Sequence, residues 1–263
     1  MNAEELLEKY KAGERNFKKL NLRGLDFQGA DLNGIDLESA DLTGCDLNQT
    51  NLNKANLNSA NFSRASLVEA NLSQVECRQA NFTFAELSRA DLSKADMNSA
   101  NLTNANLENI NLSNTNLSYV NLSNANLENA TLSETNLSNT NLQGADLTKA
   151  DLSRISLPNT KLQDTNLMQA NLRGVGLSKR DLSGMNLASA DLTAANLNSA
   201  KLEKSCLQGA NLERADLQNT NLTKANLNNA NLKKADLTNA NIYGATFENA
   251  DLTGAIMPDG EIY

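Results

Sequence analysis

The sequence predicts an all-β solenoid, and three observations carry that prediction. From Arg15-Asn16-Phe17 to Ala250-Asp251-Leu252 the pattern small, Asp/Asn, Leu/Phe, polar, polar runs through 48 consecutive five-residue units without insertion or deletion. A fixed period sustained over nearly a whole chain means a repeat architecture. The small residue and the Leu/Phe two places on point one way and the Asp/Asn between them points the other, which is the geometry of extended chain. The last polar position holds ten Gly and eleven Asn, residues that tolerate the positive φ a type II turn requires there. A short strand followed by a tight turn, repeated, winds into a solenoid whose units contact only their neighbours. The five positions are named here the small, outward, central, first-corner and second-corner slots.

Before the repeats, residues 3–12 read as a short helix. Asn2 is a natural N-cap with Glu5 as reciprocal acid; Leu6, Leu7 and Tyr10 share one face, and Gly13 is a stop. Residues 1–14 are therefore expected to be an N-terminal capping α-helix over the first coil, since solenoid ends expose apolar ladders. Residues 15–257 form the repeat domain, ending in the degenerate unit Ala255-Ile256-Met257. Met257-Pro258-Asp259-Gly260 reads as a turn, and residues 258–263 as a C-terminal cap in which Ile262 and Tyr263 fold back over the last coil.

Composition fits a thin core. Hydrophobic residues make up 40% of the 263, but aromatics only 4%, and Trp is absent, so the interior must be Leu and Ala. The net charge is −8, with 23 Lys and Arg scattered among 31 Asp and Glu. No basic cluster points to direct nucleic-acid binding. No apolar run near 18 residues exists, so no membrane span is expected. The segment Met1-Asn2-Ala3-Glu4-Glu5 lacks the basic and apolar parts of a signal peptide, and a cytoplasmic address follows. Cys45 falls in a small slot, Cys77 in a central slot and Cys206 in an outward slot, a spacing that fits neither a zinc motif nor a disulfide framework.

The runs Ala-Asp-Leu-x-x and Ala-Asn-Leu-x-x resemble the pentapeptide repeat proteins, over about nine tenths of the chain. The resemblance implies a right-handed quadrilateral β-helix with four units per coil. That amounts to about 12 coils, or roughly 58 Å at ~4.8 Å per strand. Ile35, Val75, Ile155 and Val175, all in small slots, are separated by multiples of 20, as a 20-residue coil would have it. The helix with Ala12-Gly13-Glu14-Arg15-Asn16-Phe17, and the closing Ile256-Met257-Pro258-Asp259-Gly260, look like cyanobacterial members of the family. One of those is tied to heterocyst differentiation through a protein–protein contact.

Little points to catalysis. Histidine is absent, and so is a phosphate loop in a strand–helix context. Asp26 and Asp46, or Asp216 and Asp236, would lie one coil apart, about 5 Å. Such pairs can do acid–base work, but these sit on an open convex surface and read as a solvated ladder. No enzyme, cofactor or metal site is expected. The outward slot holds 24 Asn against 14 Asp, and Asn61, Asn81, Asn101, Asn121 and Asn141 form a column of amides. Stacked amides hydrogen-bond without repulsion, which makes the column a structural ladder or else an amide-rich binding face.

Two functional readings follow. One is a protein-binding or regulatory scaffold, monomeric and with an unidentified protein partner. The other is implied by relatives that mimic DNA and protect type II topoisomerases. A duplex of this length carries on the order of 34 charges at one per ~1.7 Å, far above a net −8, and this chain has no projecting loop in its register. The scaffold is therefore preferred.

Departures from the pattern are the best pointers to a contact surface. Arg180 falls in a small slot, where a buried guanidinium would be costly, so a local bulge that lets it reach water is expected. Lys161 replaces Asp/Asn nearby, and Pro158 enters a corner. Phe84 is an aromatic in a second corner, with Arg64 twenty residues earlier and placed for a cation–π stack. Tyr119 is likewise outward. The candidate partner contacts are Arg64, Phe84, Tyr119, Lys161 and Arg180.

Overall fold

A computed structural model describes residues 1–263. The chain divides into two compact units, one of residues 1–145 with 158–161 and the other of residues 146–157 with 162–263. In both units the outward residue of each repeat pairs in parallel with the residue twenty later, as in Asn61↔Asn81 and Asn211↔Asn231. Four repeats thus make one turn of the chain. The pairing is shorter than the strands expected: each repeat contributes a single bridge, because the next two residues already turn.

The backbone donors of one repeat show why the unit has five residues. In Asn61–Ala65, the N–H of Asn61 donates to Ala40 O one coil back at 2.9 Å, and that of Phe62 to Asn81 O one coil forward at 2.7 Å. Arg64 N–H also reaches forward, to Thr83 O at 3.0 Å, and Ala65 N–H closes the turn on Phe62 O at 3.0 Å. The remaining N–H, of Ser63, is taken by the side-chain Oδ1 of Asn61 at 3.1 Å. Buried main-chain donors must find partners, and this arrangement finds one for each of the five.

The turn requires its second-corner residue to have positive φ, and all 48 such positions from Lys19 to Gly254 do, between 55° and 71°. Ten are Gly and eleven Asn; the rest include Lys, Arg, Gln, Glu, Phe and Tyr. Left-handed backbone costs a non-glycine residue about 1–2 kcal/mol, so inter-coil bonds and core burial override local preference at most corners.

That core is continuous within each unit. Central side chains from Phe17 to Leu237 are buried, none more than 5% exposed. Phe62 and Phe82 stack with centroids 4.9 Å apart and planes within 4°. At ~1.5–3 kcal/mol per buried Leu, the ladder is the main favourable term. Hydroxyls that replace Ala in small slots bond inward: Thr50 Oγ1 donates to Phe27 O at 2.9 Å and Thr140 Oγ1 to Leu117 O at 2.7 Å.

At the N-terminus, helix α1 (Ala3–Lys11) is capped by Asn2, whose side chain accepts Glu5 N–H at 2.8 Å. Its one buried residue is Leu6. Tyr10 fastens the helix to the repeats through its hydroxyl, which donates to Asn33 O at 2.7 Å, and the Arg15 guanidinium lies 3.9 Å from the Tyr10 ring. At the other end Ile262 pairs antiparallel with Ile256, and Tyr263 N–H donates to Ala255 O at 2.9 Å. The backbone folds back as expected, but the side chains of Ile262 and Tyr263 remain 74% and 70% exposed. They do not cover the apolar residues of the last coil, where Ile242 and Phe247 are half-buried.

Candidate functional site

The outward Asp and Asn are more than a solvated fringe. Their Oδ1 atoms accept the first-corner N–H two residues on throughout both units, as in Asp41 to Thr43 at 3.0 Å and Asn171 to Arg173 at 3.3 Å. Many Asn also donate Nδ2 to the outward oxygen one coil back, as Asn81 does to Asn61 and Asn141 to Asn121, both at 3.0 Å. The amide oxygens of the column are therefore engaged inside the protein, and what is left for a partner is Nδ2 hydrogens.

Sequence reasoning missed a second use of Asn. At three repeats whose outward residue is neither Asp nor Asn, an Asn in the first corner one coil earlier supplies the acceptor. Ser66 is an outward Ser, and Val68 N–H goes to Asn48 Oδ1 at 2.8 Å. Glu76 is too long, and Arg78 N–H goes to Asn58 Oδ1 at 2.9 Å. Below Thr246, Glu248 N–H goes to Asn228 Oδ1 at 2.9 Å. At Ser156 the problem does not arise, since the first corner is Pro158, which has no N–H. The signal was present in the sequence as Asn in a corner twenty residues before the N–H to be satisfied.

Against this background four of the five candidates share a unit. Arg64 and Phe84 occupy successive coils of the same corner, with the guanidinium carbon 5.9 Å from the ring centroid. Phe84 is 54% exposed and Tyr119 63%. Both corners flank the amide column: Phe84 follows Asn81 by three residues and Tyr119 precedes Asn121 by two. Lys161 pairs with Asn141 in that column and is exposed.

Arg180 lies in the other unit, and its expected bulge is absent. The turn closes normally, Arg180 N–H to Leu177 O at 3.2 Å, and Lys201 N–H donates to Arg180 O at 2.8 Å. The side chain is half-buried, and desolvation pulls its pKa down. A long flexible stem lets a guanidinium leave a small slot without moving the backbone, which is why no extra residue or distortion is needed.

Electrostatics run against acid–base chemistry. Asp216 and Asp236 do pair one coil apart. Partial burial raises the Asp236 pKa, but the Thr238 hydroxyl and N–H and the Gln218 amide outweigh it, and the carboxyl lies below its ordinary range. Two carboxyls sharing a proton would show one raised strongly. Cys45 and Cys77 are buried, and desolvation drives both thiols upward, Cys77 far beyond the ordinary thiol range; the reactive form is the thiolate, so neither is a nucleophile. No group of three or more His, Cys, Asp or Glu side chains is arranged to hold a metal. No helix is long and apolar enough to cross a membrane.

Comparison with known proteins follows the same lines. The pattern of the family described as pentapeptide repeats matches residues 21–58, 60–98, 95–134, 135–174, 177–214 and 215–254. Among solved structures, the chain is 36% identical to HetL, a pentapeptide repeat protein involved in heterocyst differentiation regulation in the cyanobacterium Nostoc sp. strain PCC 7120. That match covers 100% of both chains with a TM-score of 0.43. A pentapeptide repeat protein of the Arabidopsis thaliana thylakoid lumen is 32% identical, over 35% of this chain and 70% of that one, with a TM-score of 0.22. Full-length QnrB1, a plasmid-mediated fluoroquinolone resistance protein, is 16% identical, over 89% of this chain and 92% of that one, with a TM-score of 0.30. No curated protein matches the chain.

Proposed function

Because the chain belongs to the pentapeptide repeat family, we propose that it is a non-catalytic scaffold that binds a protein partner through its outer surface. The Arg64–Phe84 corner is the centre of the contact. One observation carries this reading. Phe84 holds φ at +58° with its ring 54% exposed, so it takes on backbone strain without burying apolar surface. Gly or Asn would serve the turn better. Most corners bear the same strain, but with polar or small side chains; a large exposed aromatic there gives the fold nothing and points to a use outside it, and aromatic residues and Arg are enriched at protein interfaces. Tyr119, also at positive φ and exposed, and Lys161 extend the surface along the same amide column; Arg180 is a separate contact.

The likeness to HetL supports a role in cyanobacterial regulation; a cytoplasmic, monomeric protein is part of the same proposal. The unbroken register supports residues 15–257 as one four-sided repeat domain of about twelve coils, between caps at 1–14 and 258–263.

Capture of partners from a cyanobacterial extract tests the proposal. Wild-type protein should retain a defined partner that Phe84→Asn and Arg64→Asn lose, Asn being at home in this corner. Identical captures by all three proteins would remove the corner from the account.

The alternative is a DNA-mimicking protein that protects a type II topoisomerase. Charge gives it some support: the first unit holds 18 Asp and Glu against 12 Lys and Arg. A gyrase supercoiling assay separates the readings, since relief of quinolone inhibition by added protein favours mimicry.

A further inference from the structure

The second unit contains an open cleft of about 150 Å³ lined by Arg154, Arg173, Gly174, Thr193 and Ala194. We infer that this cleft binds a phosphoryl-type oxyanion, either free phosphate or the phosphorylated side chain of a partner protein. The repeat explains how the cleft arises. Second-corner residues stack coil on coil, and in this column they read Arg154, Gly174, Ala194, Arg214. Two coils nearly bare of side chain thus lie between two arginines. A Cβ built on Gly174 would meet nothing within 4 Å, so the floor of the cleft is open space.

Two arginines, Arg154 and Arg173, border that space from adjacent coils. Arg154 N–H donates to Arg173 O at 2.9 Å, which fixes the two residues side by side. Arg154 is exposed and makes no ion pair. Arg173 gives Nη1 to Asp191 Oδ2 at 3.0 Å, and its planar fork keeps further N–H donors for a ligand. The neighbouring carboxylates are occupied. Asp191 Oδ1 accepts the Thr193 N–H at 3.0 Å and its hydroxyl, and Asp151 Oδ1 accepts Ser153 N–H at 3.0 Å and Asn171 Nδ2 at 2.9 Å. Forked guanidiniums suit a tetrahedral oxyanion better than ammonium groups do, because they donate in pairs. The inference concerns a different unit from the Arg64–Phe84 corner and stands or falls separately.

Calorimetric titration tests it with four probes: inorganic phosphate, pyrophosphate, a phosphoserine peptide, and the same peptide without phosphate. The expected result is binding of phosphorylated probes only, weakened about tenfold, or ~1.4 kcal/mol, by Arg154→Ala. Gly174→Gln should weaken it as much by filling the cleft. Gln occupies this corner at positions 49, 74, 79 and 169, so the fold accepts the substitution at the cost of left-handed strain. Arg214→Ala should change nothing. Circular dichroism and the urea midpoint confirm that each variant is folded. Binding of inorganic phosphate as tightly as the peptide assigns the site to a free anion; binding of the phosphopeptide alone assigns it to a modified partner. No binding of any phosphorylated probe overturns the inference. So does equal binding of the unphosphorylated peptide, or affinity unchanged by both Arg154→Ala and Gly174→Gln.

Discussion

The side chain of Asn48 accepts the main-chain N–H of Val68, one coil further on, at 2.8 Å. Where the outward residue is Asp or Asn that donor is satisfied within its own repeat, and the substitution of one acceptor for another leads to a double-mutant prediction. Asn48→Ala leaves a partly buried N–H and the Ser66 hydroxyl without their acceptor. It should cost ~1–2 kcal/mol in urea unfolding. Ser66→Asn restores an acceptor in the repeat itself, so the double variant should recover most of the loss. Asn198→Ala is the control. It occupies an equivalent corner, but Gln218 N–H beyond it already bonds Asp216 at 3.0 Å; only the Ser199 hydroxyl, 2.8 Å from Asn198 Oδ1, loses an acceptor, and it can turn to water, so the change should cost clearly less than Asn48→Ala. A loss at Asn198 equal to that at Asn48 contradicts the account.

The corners predict an inversion of the usual glycine rule. Gln74 has φ +61°, whereas Glu8 lies in helix α1. Gln74→Gly should stabilise by ~0.5–1 kcal/mol, relief of left-handed strain exceeding the entropy given to the unfolded chain. Glu8→Gly should destabilise by up to ~1 kcal/mol. Thermal melts of the two variants check the opposite signs.

Phe84 should show the trade-off between stability and function. Phe84→Gly relaxes a φ of +58° and removes an exposed ring, so the melting temperature should rise while partner capture is lost. A fall in stability would instead make Phe84 a structural residue. By contrast, Phe82→Ala removes one member of the buried stack with Phe62 and should cost ~3–5 kcal/mol.

Acid sensitivity follows from the carboxylates. Asp251 is lowered to about 2 by the Thr253 hydroxyl, Lys233 at 3.0 Å and the Thr253 N–H. A depressed carboxyl contributes stability that is present above the ordinary carboxylate range and is lost as pH falls through the folded value. Asp191 is also lowered: partial burial opposes this, but the Thr193 hydroxyl and N–H and Arg173 prevail. Stability should therefore fall between about pH 4 and pH 2. In Asp251→Asn the fall should be shallower and the stability at neutral pH lower. Parallel pH profiles for variant and wild type would contradict this.

Much of this was legible because five residues are a complete hydrogen-bonding unit. Alternation placed Leu and Ala inside, the Gly and Asn corners announced positive φ, and the spacing of Arg64 and Phe84 foretold their stack. The Asn2 cap was readable for the same local reason. What escaped depends on the neighbouring coil. Nothing in the repeat of Val68 says that Asn48 will complete it, and the Lys, Gln and Glu corners adopt positive φ only because the ladder compels them. Arg180 was misread because side-chain length, rather than the backbone, absorbs its charge. The functional surface was legible only as a broken rule at Phe84, since a partner leaves no period in the sequence.

Amide hydrogen exchange followed by NMR tests the hydrogen-bond scheme most directly. The small, outward, central and second-corner amides should be protected. First-corner amides, held by side chains alone, should exchange fastest, repeating every five residues, and Asn48→Ala should speed exchange at Val68 without exposing its neighbours. Protection running through long contiguous stretches without that period would contradict the account.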